Sequence, residues 1–236
     1  DIFTTLSEAR TTEALFAWHD QNRELTQFFD TQYRLAASLA DIISSVFYDG
    51  RLQTAGNVSN NKAVLLTEED RAFHLVDTSK YGPYLTQKSG EAGFKPVNEI
   101  HQEVIEKLIK NMAGKGIRTL DIGVIVPFRS AVYDIRNRLY QAGIREVEVG
   151  TIHTFQGREK PYIIFDTVMS GEKQYNGVRH YSVRPLDEKK NGLGVPRLLN
   201  VAFSRSQKEL IVIADMVHVK RVYGNKFLYK LLSRFK

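Results

Sequence analysis

Apolar and polar positions follow two periods along the chain. Leu35, Leu39, Ile42, Ile43, Val46 and Phe47 recur at three- and four-residue steps. That spacing predicts a helix over 32–48, stopped by Asp49-Gly50. Val97, Ile100, Val104, Ile105, Leu108, Ile109 and Met112 form a second stripe, with Pro96 suited to its first turn and Gly114 and Gly116 ending it. Phe128, Val132, Ile135 and Leu139 form a third, ended by Gly143. Between the stripes lie short apolar runs. Ile122–Val126 has no alternation, as expected of a strand buried on both faces. Glu146–Ile152, Tyr162–Val168 and Leu210–Ala214 are further strands, and Val64–Leu66 and Phe73–Asp77 are short candidates.

The remaining segments read as connections and ends. Residues 5–18 open with Thr5 and Glu8 at capping-box spacing, followed by Leu6, Ala9, Leu15 and Phe16. They fit a short helix or a lead-in from something upstream. Residues 78–95, with Gly82-Pro83, Gly90 and Gly93, read as loop, as does the polar stretch up to residue 195. Leu198–Ser206 looks helical, and a basic helical tail follows the last strand. Strands alternating with helices predict an α/β fold, a mostly parallel sheet flanked by helices on both faces. In such sheets ligands are expected at the carboxyl ends of the strands. The expected organisation is one domain over 1–236: a lead-in at 1–24, a core at 25–215 and a C-terminal basic helix at 216–236.

Composition narrows this little. The 236 residues are 42% hydrophobic and 25% charged, ordinary for a globular chain. There is no cysteine, which removes disulfides and thiolate metal sites. The six histidines are scattered, and no structural metal is expected. No run reaches the ~18 apolar residues of a membrane span, and the first ten residues show no signal-peptide pattern. The expectation is no membrane partner and a cytoplasmic location, or nucleoid or nuclear in a cell that has one. A net charge of +6 suits a polyanionic partner.

Three polar clusters carry candidate chemistry. Thr151-Ile-His-Thr-Phe-Gln-Gly-Arg-Glu159 follows a strand and precedes another. Gly157 permits close approach of a backbone or phosphate, and Thr151, His153, Gln156 and Glu159 offer hydrogen bonds. The same residues fit a plain strand-to-strand loop. Asn200-Val-Ala-Phe-Ser-Arg205 precedes a buried strand. Arg205 has a planar guanidinium to offer a phosphate, and fits equally a solvated arginine on an amphipathic helix. Gln32-Tyr33-Arg34 stands at a helix start, Tyr33 with a ring to stack on a base and Arg34 with a cation for a phosphate. An exposed aromatic at a helix start is the plainer reading. In the loop 170–195, Lys173, Tyr175, Arg179, His180, Tyr181, Arg184, Lys189 and Lys190 interleave basic and aromatic residues. Single-strand-binding surfaces do this, and so do solvated loops.

The order of these clusters resembles the second RecA-like motor domain of superfamily 1 helicases, in the branch that holds the nonsense-mediated-decay helicase and the Dna2-like proteins. QYR with FYDGRL resembles that branch's motif IV region, TIHTFQGRE its motif V and LLNVAFSRS its motif VI. IGVIVPFR, Ile122–Arg129, resembles the strand and turn between them. The resemblance runs from about Leu25 to Asp215. It implies a RecA-like three-layer domain, a P-loop NTPase-like fold without its own phosphate loop. It also implies roles. Arg205, as arginine finger, and Arg34 would be the catalytic residues, meeting the γ-phosphate of ATP bound between two motor domains. Tyr33 would stack near the adenine, and Gly157 and Glu159 would lie at the nucleotide. Thr151, His153 and Thr154 would face single-stranded nucleic acid; Arg179 and Arg184 join that surface only through the basic and aromatic pattern of their loop. Gln156 would couple the two sites.

The sequence departs from the branch in two places. Leu35-Ala36-Ala37 stands where Met-His-Pro is usual after QYR. Ser204-Arg205-Ser206-Gln207 stands where Thr-Arg-Ala-(Lys/Arg) is usual. No G-x-x-x-x-G-K-[ST] occurs. The resemblance therefore assigns ATP and Mg2+ mainly to a first RecA-like motor domain of the same parent protein, and this chain alone is expected to hydrolyse no ATP at a useful rate. A non-catalytic module derived from a helicase domain, binding nucleic acid or protein, is the alternative.

Overall fold

The computed structural model describes residues 12–58, 72–87, 96–172, 189–190, 193–224 and 226–235. The five apolar runs are β1 (Phe73–Asp77), β2 (Ile122–Val126), β3 (Glu148–Thr151), β4 (Lys160–Asp166) and β5 (Ser206–Ala214). They make one sheet in the order β1-β5-β4-β2-β3, every pair parallel. The helices are α1 (Thr12–Gln21), α2 (Ala37–Phe47), α3 (Glu99–Gly114), α4 (Arg129–Gln141), α5 (Val195–Phe203), α6 (Met216–Tyr223) and α7 (Phe227–Leu232).

Because strand side chains alternate between faces, the apolar strands feed two cores. Ile163, Phe165, Leu210 and Val212 join residues of α2, α5, α6 and α7. Tyr162, Ile164, Ile211 and Ile213 join residues of α3 and α4 on the opposite face. The result is the expected three-layer, RecA-like arrangement. Among the described residues no helix is long and apolar enough to cross a membrane.

Several local expectations are corrected. α2 begins at Ala37 rather than at residue 32. The Gln32 side chain takes the backbone N–H groups of Arg34 and Leu35 at 2.8 and 2.7 Å and donates to the Leu35 carbonyl at 3.0 Å. A side chain that satisfies the backbone in this way competes with helix formation. Thr31–Gln32 instead pairs in parallel with Gln53–Thr54. Pro96 does not open α3: Pro96–Val97 pairs with Tyr84–Gln87, and Asn98 caps the helix by accepting from the His101 N–H at 3.1 Å. The stretch 78–95 is therefore not all loop. α5 ends at Phe203, so Ser204 and Arg205 form the turn into β5. The basic tail is two helices, and Leu228, Leu231, Leu232 and Phe235 are buried in the core. Thr5, Glu8 and Val64–Leu66 lie outside the described residues, as does the span 173–188.

One connection shapes the site. Thr151 is level with Val126, at the carboxyl end of β2 and β3. The chain must return to the amino end of the sheet by Lys160, using only residues 152–159. A parallel crossover ordinarily needs a dozen or more residues. Here Phe155, 1% exposed, lies directly on the strands. A Cβ at Gly123 would meet the Phe155 ring at 2.9 Å and Ile163 Cδ1 at 2.8 Å, and one at Gly150 would meet the Phe155 ring at 3.0 Å. The two glycines are the floor on which so short a connection fits.

At the carboxyl edge a buried polar chain runs from Thr78 Oγ1 to His101 Nε2 at 2.9 Å, and from His101 Nδ1 to Asp166 Oδ1 at 2.6 Å. Asp166 accepts the Val168 N–H at 2.7 Å, and Val168 holds a φ of 62°, strained for a β-branched residue.

Gly123→Ala is expected to destabilise the fold by ~1–3 kcal/mol through overpacking against Phe155, read as a lowered urea midpoint. His218 gives a pH dependence. Burial pushes its imidazole below the ordinary value, with Arg221 and His101 adding to the effect against Asp215. The unfolded chain therefore takes up the proton first as pH falls below about 6.5, and stability falls with it. Urea midpoints at pH 7 and pH 5 are expected to differ less in His218→Gln than in the wild type.

Candidate functional site

Four segments meet at the amino ends of β4 and β5. The turn Gln32–Arg34 brings Arg34 over Glu159, the residue before β4, and the two form an ion pair. Arg34 also donates to the Ser204 carbonyl at 3.4 Å. Gln207, the second residue of β5, donates to Glu159 Oε1 at 2.8 Å. The Lys160 N–H donates to the Arg205 carbonyl at 3.1 Å, which locks the starts of the two strands together. A cleft of about 680 Å³ opens here, lined by Gln32, Tyr33, Arg34, Asn57, Val58, Glu159, Gln207 and Lys208.

Arg205 is half-buried beside this cleft. Its Nε donates to the Val201 carbonyl at 2.8 Å and its Nη2 to Ser204 Oγ at 3.2 Å. Burial, then repulsion from Arg34, lowers its pKa from the ordinary value, and Glu159 offsets part of that. It remains a cation. Arg34, Arg205 and Lys208 thus set three cations against one carboxylate. The arrangement suits a polyphosphate. Tyr33 stands at the rim, 70% exposed.

This is the opposite end of the sheet from the one expected of a ligand in a parallel α/β fold. The reason is local: Glu159 and Arg205 are each the residue before a strand, so they sit where β4 and β5 begin. Thr151 lies at the carboxyl end of β3. It accepts the Thr154 N–H through Oγ1 at 3.3 Å, and Thr154 Oγ1 donates back to the Thr151 carbonyl at 2.9 Å. His153, Thr154 and Gln156 are exposed along the crossover. The structure therefore brings Arg34, Glu159 and Arg205 together, with Tyr33 at the rim, and holds Thr151, His153 and Thr154 apart from them. Arg179 and Arg184 lie outside the described residues.

Gly157 holds a φ of 82°, and a Cβ there would meet nothing within 4 Å. Its left-handed conformation, which glycine adopts without strain, turns the chain through Arg158 and Glu159 into β4. Sequence reasoning passed over Gln32, Gln207 and Lys208 as site residues. Gln207 and Lys208 stand two and three residues beyond Arg205, and that adjacency was the available signal.

A family model described as an AAA domain matches residues 11–217. The DNA polymerase alpha-associated DNA helicase A of Schizosaccharomyces pombe is 32% identical over 213 residues, covering 86% of this chain and 30% of that protein. Its Saccharomyces cerevisiae counterpart is 26% identical over 218 residues, covering 87% of this chain and 30% of that protein. The regulator of nonsense transcripts 1 homolog of Neurospora crassa is 28% identical over 213 residues, covering 87% and 18% respectively. The chain spans under a third of the length of these relatives. By a match over most of its own length it belongs to the AAA domain family, on the side of the second RecA-like motor domain of superfamily 1 helicases in the nonsense-decay-helicase branch.

Proposed function

We propose that this chain is the second motor domain of an ATP-dependent DNA or RNA helicase or translocase. The observation that carries the reading is the meeting of Arg34, Glu159 and Arg205, drawn from three distant segments, at one cleft mouth. In this reading ATP and Mg2+ are held mainly by a first motor domain of the same parent protein, and the bound nucleotide supplies the phosphoanhydride whose hydrolysis drives the motor. Arg205 leaves the Val201 carbonyl and turns its guanidinium to the γ-phosphate as an arginine finger. Arg34 exchanges Glu159 for phosphate oxygens. Tyr33 stacks near the adenine, and Gly157 and Glu159 shape the nucleotide edge. Thr151, His153 and Thr154, with Arg179 and Arg184, face a single strand of nucleic acid. Gln156 couples the two sites, because residues 152–159 run from one end of the sheet to the other.

One observation favours a non-catalytic binding module instead: both guanidiniums already have partners inside the chain, Glu159 for Arg34 and the Val201 carbonyl for Arg205. ATP turnover separates the two readings. With single-stranded DNA or RNA present, the full-length protein carrying this chain is expected to hydrolyse ATP, and Arg205→Ala to lower turnover by ~10³-fold or more with its fold retained. Turnover indifferent to Arg205 would remove the arginine from the site. An inactive full-length protein would leave the binding module.

Glu159→Gln tests whether the ion pair serves the fold. Both partners are 42% exposed, so the pair is worth under ~1 kcal/mol. Thermal melting is expected to shift by less than about 4 °C, while ATP turnover responds.

A further inference from the structure

The exposed face of α4 carries a pattern that the cleft and the crossover do not use. Arg129, Tyr133, Arg136 and Tyr140 follow one another at steps of four, three and four residues. At 3.6 residues per turn they fall within about 60° of the helix circumference, one above the other. Tyr133 is 60% and Tyr140 59% exposed, high for aromatic rings on a surface helix. The guanidinium of Arg145 lies over the Tyr140 ring, 4.7 Å from its centroid. Arg136 donates to the Val149 carbonyl from Nε at 3.2 Å and from Nη2 at 2.6 Å, fixing the middle of the stripe to the edge strand β3. Two of its five donors are spent on that carbonyl.

No residue on this exposed face is acidic. Asp134, the one carboxylate of the helix, is half-buried. The neighbouring Glu146 accepts from Thr119 at 2.8 Å, and Glu148 is paired with Arg158 and Lys160. The stripe therefore presents alternating cations and rings. An apolar protein partner would meet guanidiniums on either side of each ring. A strand of nucleic acid meets phosphate partners and stacking platforms in turn. The stripe also continues from the segment proposed above for nucleic acid. Arg129 stands three residues beyond Val126, which is the register partner of Thr151.

We propose that the outer face of α4 is a second stretch of the single-strand path. Tyr133 and Tyr140 act as base-stacking platforms, and Arg129, Arg136 and Arg145 as phosphate contacts. Tyr133 and Tyr140 lie about 10 Å apart along the helix. Recognition is directed at backbone and ring faces, so DNA and RNA are both bound. The proposal rests on the motor-domain reading.

The test is fluorescence anisotropy on the full-length protein carrying this chain, with fluorescein-labelled oligo-dT and oligo-U of 8 and 20 nucleotides. The double variant Tyr133→Ala/Tyr140→Ala is expected to weaken the 20-mers at least tenfold and the 8-mers less than twofold. Tyr133→Phe/Tyr140→Phe keeps the rings and is expected to restore binding. Arg129→Ala/Arg145→Ala is expected to reduce the slope of log affinity against log salt by about 0.7 per arginine removed. Unchanged 20-mer affinity and salt slope in both alanine doubles, with melting curves intact, would overturn the proposal and leave the face to a protein partner. Nucleic-acid-stimulated ATP turnover that survives in those variants would leave the motor-domain reading standing. A wild-type protein that binds no single strand would overturn both.

Discussion

The contact of Phe155 with Gly123 and Gly150 is the constraint on which the site depends. The chain has eight residues in which to pass from the carboxyl end of β3 to the amino end of β4, and a ring packed against bare backbone is how it does so. A Cβ at either glycine would lift the segment from the sheet. The turn that places Thr151 and Thr154 at one end would then lose its register with the Glu159 that meets Arg34 at the other. Gly157 adds the left-handed bend that ends the crossover on Glu159. Packing density here has a mechanical result: the two ends of the sheet are joined by a short strut pinned by the buried Ile152 and Phe155 rather than by a helix on loose connections.

The charges at the amino ends are held differently. Arg34, Glu159 and Gln207 are joined by partly exposed contacts that contribute little to stability. Weak internal pairing lets a guanidinium change partners at low cost. Arg205 is more committed, half-buried and bonded to the preceding helix through the Val201 carbonyl, and its neighbour Arg34 makes that position unfavourable for a second cation. A polyphosphate entering the cleft would relieve that repulsion. By contrast, the carboxyl edge is rigid. Thr78, His101 and Asp166 form a buried hydrogen-bonded chain, Asp166 accepts the Val168 N–H, and Asn98 holds the Val168 carbonyl at 3.0 Å, so a strained backbone is kept in place by several partners at once.

Under the proposed function these properties divide the labour. The rigid edge, the strut and the stripe on α4 would keep a single strand in register. The loosely paired arginines would respond to nucleotide. The relatives named above are several times longer than this chain, and in this reading the partner surface for the cleft would lie in the rest of such a protein.

The sequence by itself determined the layers. Strands such as Ile122–Val126 and Leu210–Ala214 carry no alternation because both their faces are buried, and the stripes of α2, α3 and α4 each repeat at helical spacing. Both signals are local, set by which side chains must leave water. The ordered motifs were legible for the same reason: each lies within one short segment. Tertiary structure decided the rest. Gln32 turns QYR away from helix because its side-chain amide finds backbone groups that periodicity does not register. Asn98, rather than Pro96, starts α3, because Pro96 is used in a strand pair. The apolar side of the tail becomes core only once β1 and α5 are there to receive Phe235. The ion pair of Arg34 with Glu159, and the placing of the cleft at the amino ends of β4 and β5, depend on contacts between segments more than a hundred residues apart. No local pattern encodes such a contact, because it exists only once the sheet has set its register.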